Sequence, residues 1–308
     1  MRKLISSLLF LGILIVACND GGKKGPDKGS VSVDTLAGAA VLEACNLDDT
    51  VKIPTDLCGS SGSGNFVIDP VLAQEYIAAF NLKYVKPGTG LEKEYWVSKC
   101  DIEALNNFFR KNKEYDGAWI TYTSDQAPSN KSSINFVPSI YKIEGSQRHE
   151  PQWAAVSKIV PPAGCTLSAY FSTSNVKAGQ FRQIHRKEGT GGLVNLLSRR
   201  VWVDTCVFYS LYKIIQAYSS SNTPMDGMFV YSAAYNSAPA YPPHGYMAKD
   251  HATLILVLSY TCPEIDGHFP AWDVNKYLYN KLVKNAVGAA PPAFNHGELC
   301  PNACTGLD

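Results

Sequence analysis

The chain has 308 residues, 45% of them hydrophobic and 18% charged, which excludes disorder throughout and fits about two domains. Its 28 basic residues face 27 acidic ones. A net charge of +1 leaves no basic excess to neutralise phosphates, which argues against a nucleic-acid partner.

Arg2 and Lys3 precede an apolar run, Leu4 to Val16, too short to span a bilayer and of the length of a secretory core segment. It closes on Ile15-Val16-Ala17-Cys18, which resembles the lipobox of bacterial lipoproteins. The resemblance implies a signal peptide over residues 1–17 and acylation of Cys18 as the first mature residue. Cleavage leaves 26 basic against 27 acidic residues, so the lipid and not a polybasic patch would anchor the chain to the membrane. The implied location is the cell envelope, where disulfides persist. In that family an Asp after the acylated Cys retains the protein at the inner membrane, and Asn19 is compatible with the outer one. Residues 18–42 read as a flexible tether, with four Gly, one Pro and three Lys between Asn19 and Ser30.

Asp69-Pro70 pairs an N-cap with a proline at the first helical position, and Leu72, Tyr76, Ile77 and Phe80 follow at helical spacing. Tyr95 to Val97 is a short strand. Ser98 and Asp101 form a capping-box pair for a second helix with the stripe Ile102, Leu105, Phe108 and Phe109. Ala118 to Thr123 and Ile134 to Tyr141 are β-branched and aromatic strands. Further on, Asp204 caps a helix with the stripe Val207, Phe208, Leu211, Ile214, Ile215 and Tyr218. Met228 to Ser232 and Thr253 to Tyr260 are strands, the latter apolar enough to lie buried on both faces.

The second set echoes the first. Displaced by 106 residues, Lys52-Ile53 meets Lys158-Ile159, Gln74 meets Gln180, Trp96-Val97 meets Trp202-Val203, Cys100 meets Cys206 and Leu105 meets Leu211. Small insertions bring Asp116-Gly117 onto Asp226-Gly227, Trp119-Ile120 onto Phe229-Val230 and Tyr141 onto Tyr260. The expectation is an α+β fold of two tandem repeats, each with two helices and a mainly antiparallel sheet, over residues 43–150 and 151–262, with a C-terminal tail over 263–308. This order of elements looks like that of uncharacterised proteins common in Bacteroidota, a resemblance that implies architecture and source and no activity.

Nine cysteines remain to be placed. Lipidation takes Cys18, and eight in an exported chain indicate disulfides. Cys58 to Cys100 and Cys165 to Cys206 span 42 and 41 residues, so equivalent bridges within each copy are the simplest pairing. Each such loop would contribute about 4 kcal/mol in the chain-entropy model. Cys300 with Cys304, across the turn-forming Pro301-Asn302, and Cys45 with Cys262 complete the set.

Cys206 has a second reading. It opens a helix, where the dipole favours a thiolate, and His251 opens a strand. This resembles the papain-like cysteine hydrolases, which implies Cys206 as nucleophile, His251 as base, and Asp266 or Asn275 orienting the imidazole. Cys100 holds the same place in the first copy without such a His, which favours the bridge.

Metal and cofactor sites are not expected. His244, Asp250, His251, Asp266 and His268 lack ligand spacing, and the glycine-rich stretches 59–64 and 189–192 lack the Lys-Ser/Thr of a phosphate cradle. Residues 235–247, YNSAPAYPPHGYM, form a proline-stiffened insertion whose Tyr235, Tyr241 and Tyr246 suit contact with a protein or glycan partner. The function expected is therefore a non-catalytic, lipid-anchored binding module, the cysteine hydrolase being the alternative.

Overall fold

The computed structural model describes residues 50–54, 57, 68–144, 146–188, 199–236, 251–262, 265–272, 274 and 299–300. The fold is α+β, with four helices and two antiparallel sheets among the described residues. In chain order these are α1 (Pro70–Tyr84), β1 (Glu94–Ser98), α2 (Lys99–Lys111), β2 (Gly117–Ser124), β3 (Ser132–Glu144), β4 (Ser146–Pro151), a 3-10 turn (Trp153–Lys158), α3 (Val176–Glu188), β5 (Arg200–Asp204), α4 (Thr205–Ala217), β6 (Met225–Ala234), β7 (Ala252–Cys262), β8 (Ile265–Pro270) and the short β9 (Leu299–Cys300).

The helix starts follow the local code. The Asp69 carboxylate accepts from Val71 N at 2.8 Å, with Pro70 filling a position that has no hydrogen bond to lose. Ser98 and Asp101 close a reciprocal capping box on α2, and Asp204 accepts from Cys206 N at 2.6 Å on α4. The expected stripes of α2 and α4 are buried, and the two helices meet at Phe109 and Phe208, whose ring centres lie 5.7 Å apart.

The order helix, strand, helix and three strands runs twice, over α1–β4 and over α3–β8, yet the sheets do not divide the same way. One has the order β1-β6-β7-β8 and the other β4-β3-β2-β5-β9. β1 thus pairs with β6, Trp96 opposite Phe229 and Ser98 opposite Gly227, while β5 pairs with β2, Trp202 opposite Trp119 and Asp204 opposite Gly117. The pairings are reciprocal, and the expected boundary at 150/151 falls inside the β2–β5 sheet. The outer helices cross over too: Tyr76 of α1 packs edge-on against Tyr235 at the end of β6, and Phe181 of α3 stacks on Tyr122 of β2. β8 lies in the segment expected as tail and completes the first sheet.

A small apolar cluster gathers Trp119, Val137 and Val156, and the main apolar core joins the sheets. Its polar seam is satisfied internally. Tyr95 (β1) shares a hydrogen bond of 2.8 Å with Ser132 (β3), and Tyr122 (β2) donates to Ser232 (β6) at 3.1 Å. Glu92 donates its N–H to Ser132 Oγ, and its carbonyl accepts from Ser232 Oγ. Burial raises the pKa of both Tyr95 and Tyr122, so they act as neutral hydroxyls that link strands of the two sheets.

Candidate functional site

The cysteines are paired differently from the expectation. Cys100 is bonded to Cys165, with Cα atoms 5.8 Å apart, so neither Cys58–Cys100 nor Cys165–Cys206 forms. The cause is local: the buried Asp101 carboxylate, besides capping α2, accepts from Ser168 N at 2.9 Å and draws the segment around Cys165 to the start of α2. Cys206 and Cys262 are also disulfide-bonded. Cys18, Cys45, Cys58 and Cys304 lie outside the described residues, and Cys300 is placed by its backbone in β9.

The residues expected to serve Cys206 lie on different elements. Cys206 follows β5, while His251 precedes β7 in the other sheet. His251 and Asp266 flank opposite ends of β7, so about 30 Å of strand separates them and Asp266 cannot orient the imidazole. Asn275 lies outside the described residues. Tyr235 is also not the exposed ring expected: it is 2% exposed, wedged against Tyr76, and donates its backbone N–H to the His251 carbonyl. Tyr241 and Tyr246 lie outside the described residues.

What the structure does assemble, twice, is a tetrad of Asp, Ser, His and Trp. Asp116 precedes β2; its Oδ1 accepts from Ser139 Oγ of β3 at 2.7 Å and its Oδ2 meets His149 Nδ1 of β4 at 2.5 Å. Trp202 of β5 donates Nε1 to Ser139 Oγ at 2.9 Å and stacks on the His149 ring at 3.7 Å. In the other sheet Asp226 accepts from Ser259 Oγ at 2.6 Å and pairs with His268 Nδ1. Trp96 of β1 donates to Ser259 Oγ at 3.0 Å and stacks on His268, again at 3.7 Å.

Each tetrad depends on a glycine. A Cβ on Gly117 would lie 2.7 Å from Trp202 Nε1, so only glycine lets the indole cross β2 to reach β3. Gly227 lets the β1 backbone close in, since a Cβ there would collide with the Val97 carbonyl.

The chemistry is that of a strand tie. In each set Ser and His both bond the central carboxylate, and among the described residues no hydrogen bond joins that Ser to that His as nucleophile to base. The His Nδ1 is held by the carboxylate, while Nε2 makes no hydrogen bond among the described residues; the His side chains are 14% and 22% exposed. One carboxylate thereby links three strands, and through Trp202 or Trp96 a fourth. Charge-assisted bonds of this kind contribute about 1.5–3 kcal/mol each. Among the described residues no group of three His, Cys, Asp or Glu is placed to hold a metal ion.

The rims differ. Asp204, opposite Gly117, has its carboxyl pKa raised, chiefly by burial and further by Asp116, against the lowering effect of the Cys206 N–H, Thr205 and His149. Its counterpart opposite Gly227 is the uncharged Ser98. Tyr141 lies opposite His149, and Thr261 lies opposite His268.

Sequence reasoning found half of each tetrad without recognising it. The Trp96/Trp202 and Asp-Gly matches were visible. The apparent match of Tyr141 with Tyr260 put the register off by one: the hydrogen bonds equate Ser139 with Ser259. That register misses the serines, although the same offset of 119 residues equates His149 with His268. No protein-family model, curated protein or solved structure matches the chain. No described helix is long and apolar enough to cross a membrane.

Proposed function

We propose that the chain is a cell-envelope lipoprotein, anchored through Cys18, in which two copies of one module form a rigid scaffold that binds a protein or glycan partner without catalysis. The observation that carries this reading is the state of Cys206: its sulfur is in a disulfide and is no nucleophile. The tetrads support it as well, because their carboxylates are engaged in holding strands. With Tyr235 in the core, the proposed contact falls to Tyr241 and Tyr246 on the 237–250 segment.

Thiol titration of the non-reduced mature protein tests the absence of a nucleophile. The expected result is no free thiol, and one low-pKa thiol mapping to Cys206 would favour the cysteine hydrolase instead. Cys18→Ser should move the protein from the membrane to the soluble fraction; retention at the membrane would refute lipid anchoring. Tyr241→Ala should leave the melting temperature within about 2 °C of the parent while weakening partner binding. A large drop would make that segment part of the core.

A further inference from the structure

We infer that Cys206 is bridged to Cys58, the reciprocal of the Cys100–Cys165 bond. Cys100 is the second residue of α2, directly after β1, and its partner Cys165 lies 11 residues ahead of Val176, where α3 begins. Cys206 is the second residue of α4, directly after β5. The position that answers to Cys165 is the lead-in to α1, and Cys58 stands there, 12 residues ahead of Pro70.

Packing supports the equivalence independently. Ile159 and Ile53, which precede Cys165 and Cys58 by six and five residues, are both buried in the common core. Leu57 and Val207, the direct neighbours of Cys58 and Cys206, are buried in that core as well. Cys206 is disulfide-bonded, and of the cysteines with described side chains, Cys100 and Cys165 are bonded to each other. Cys58 itself lies outside the described residues; its assignment rests on the equivalence and on its buried neighbour.

The two bonds together would tie the helix after each exchanged strand to the lead-in of the opposite outer helix. Formation of the second removes one proton and one electron from each thiol. The two electrons and two protons pass to the disulfide of an exported dithiol–disulfide oxidant, which leaves as the dithiol.

Proteolytic mapping of the alkylated, non-reduced mature protein by mass spectrometry tests the pairing. The expected result is a Cys58–Cys206 linked peptide beside the Cys100–Cys165 one, both lost on reduction. A Cys206 linked to Cys45, Cys300 or Cys304, or alkylated as a free thiol, would overturn it. In Cys58→Ala, Cys206 should become open to alkylation while Cys100–Cys165 stays intact; a Cys206 that remains protected would equally overturn the pairing. Should that variant fail to fold, the map of the parent protein decides.

Discussion

The two sheets carry the same tetrad on differently ordered chain. Around Asp116 the four strands come from one continuous stretch, and Trp202 and Ser139 are 63 residues apart. Around Asp226 the Trp is supplied by β1, 163 residues before Ser259. The hydrogen bonds and the stacking distance are the same in both. The geometry of the tie therefore does not depend on which part of the chain delivers the Trp strand, while the surrounding residues do vary: Asp204 against Ser98, Tyr141 against Thr261, Trp119 against Phe229.

The comparison breaks most visibly at the indoles. Trp202→Ala and Trp96→Ala should each cost about 3 kcal/mol in urea unfolding, from lost packing on His and a Ser hydroxyl left without its donor. Equal costs support two equivalent ties; a near-neutral effect on one side would show that this tetrad bears no strain of the sheet. Next come the glycines. Gly117→Ala and Gly227→Ala should each cost about 2 kcal/mol, because each new methyl meets backbone of the facing strand, the Val203 carbonyl at Gly117 and the Val97 carbonyl at Gly227. A near-neutral effect on either side would mean that the facing strand, β5 or β1, yields to the methyl.

The smallest effect concerns the difference between the rims. Because the folded protein raises the Asp204 pKa, ionisation of this group opposes folding, and the cost is present at neutral pH and fades as pH falls through the folded and then the unfolded value. Asp204→Asn keeps an oxygen to cap Cys206 N and removes the charge beside Asp116. It should raise the melting temperature at pH 7 by no more than about 2 °C, and the gain should vanish below about pH 3. A loss of stability at pH 7 would mean that the charge serves the cap more than it repels Asp116.

Legibility in the sequence followed locality. The caps at Asp69, Ser98 and Asp204 read correctly because their partners lie within three residues. The strands Gly117–Ser124 and Ala252–Cys262 read correctly from apolar and β-branched content. β4, SQRHEP, and β8, IDGHFP, did not, because edge strands with polar residues, Gly and Pro lack the alternation that marks a buried face. α3 escaped for a similar reason, its buried stripe among the described side chains being Ala178, Phe181 and His185. Both tetrad histidines sit on the two missed edge strands, so the candidate site was hidden with them. The strand exchange left no local trace at all: Glu94–Ser98 has the same pattern whichever sheet receives it.

The delivery of Trp96 from the far end of the chain also bears on how the protein matures. The β2–β5 sheet has all four of its tetrad strands once residue 204 has been translated, whereas β1 waits for residues beyond 225 before it meets a neighbour. Closing 163 residues instead of 63 costs about 0.8 kcal/mol more in loop entropy, a small thermodynamic difference. The kinetic difference is larger in kind: the aromatic segment 94–98 stays without its mate during synthesis until β6 has been made.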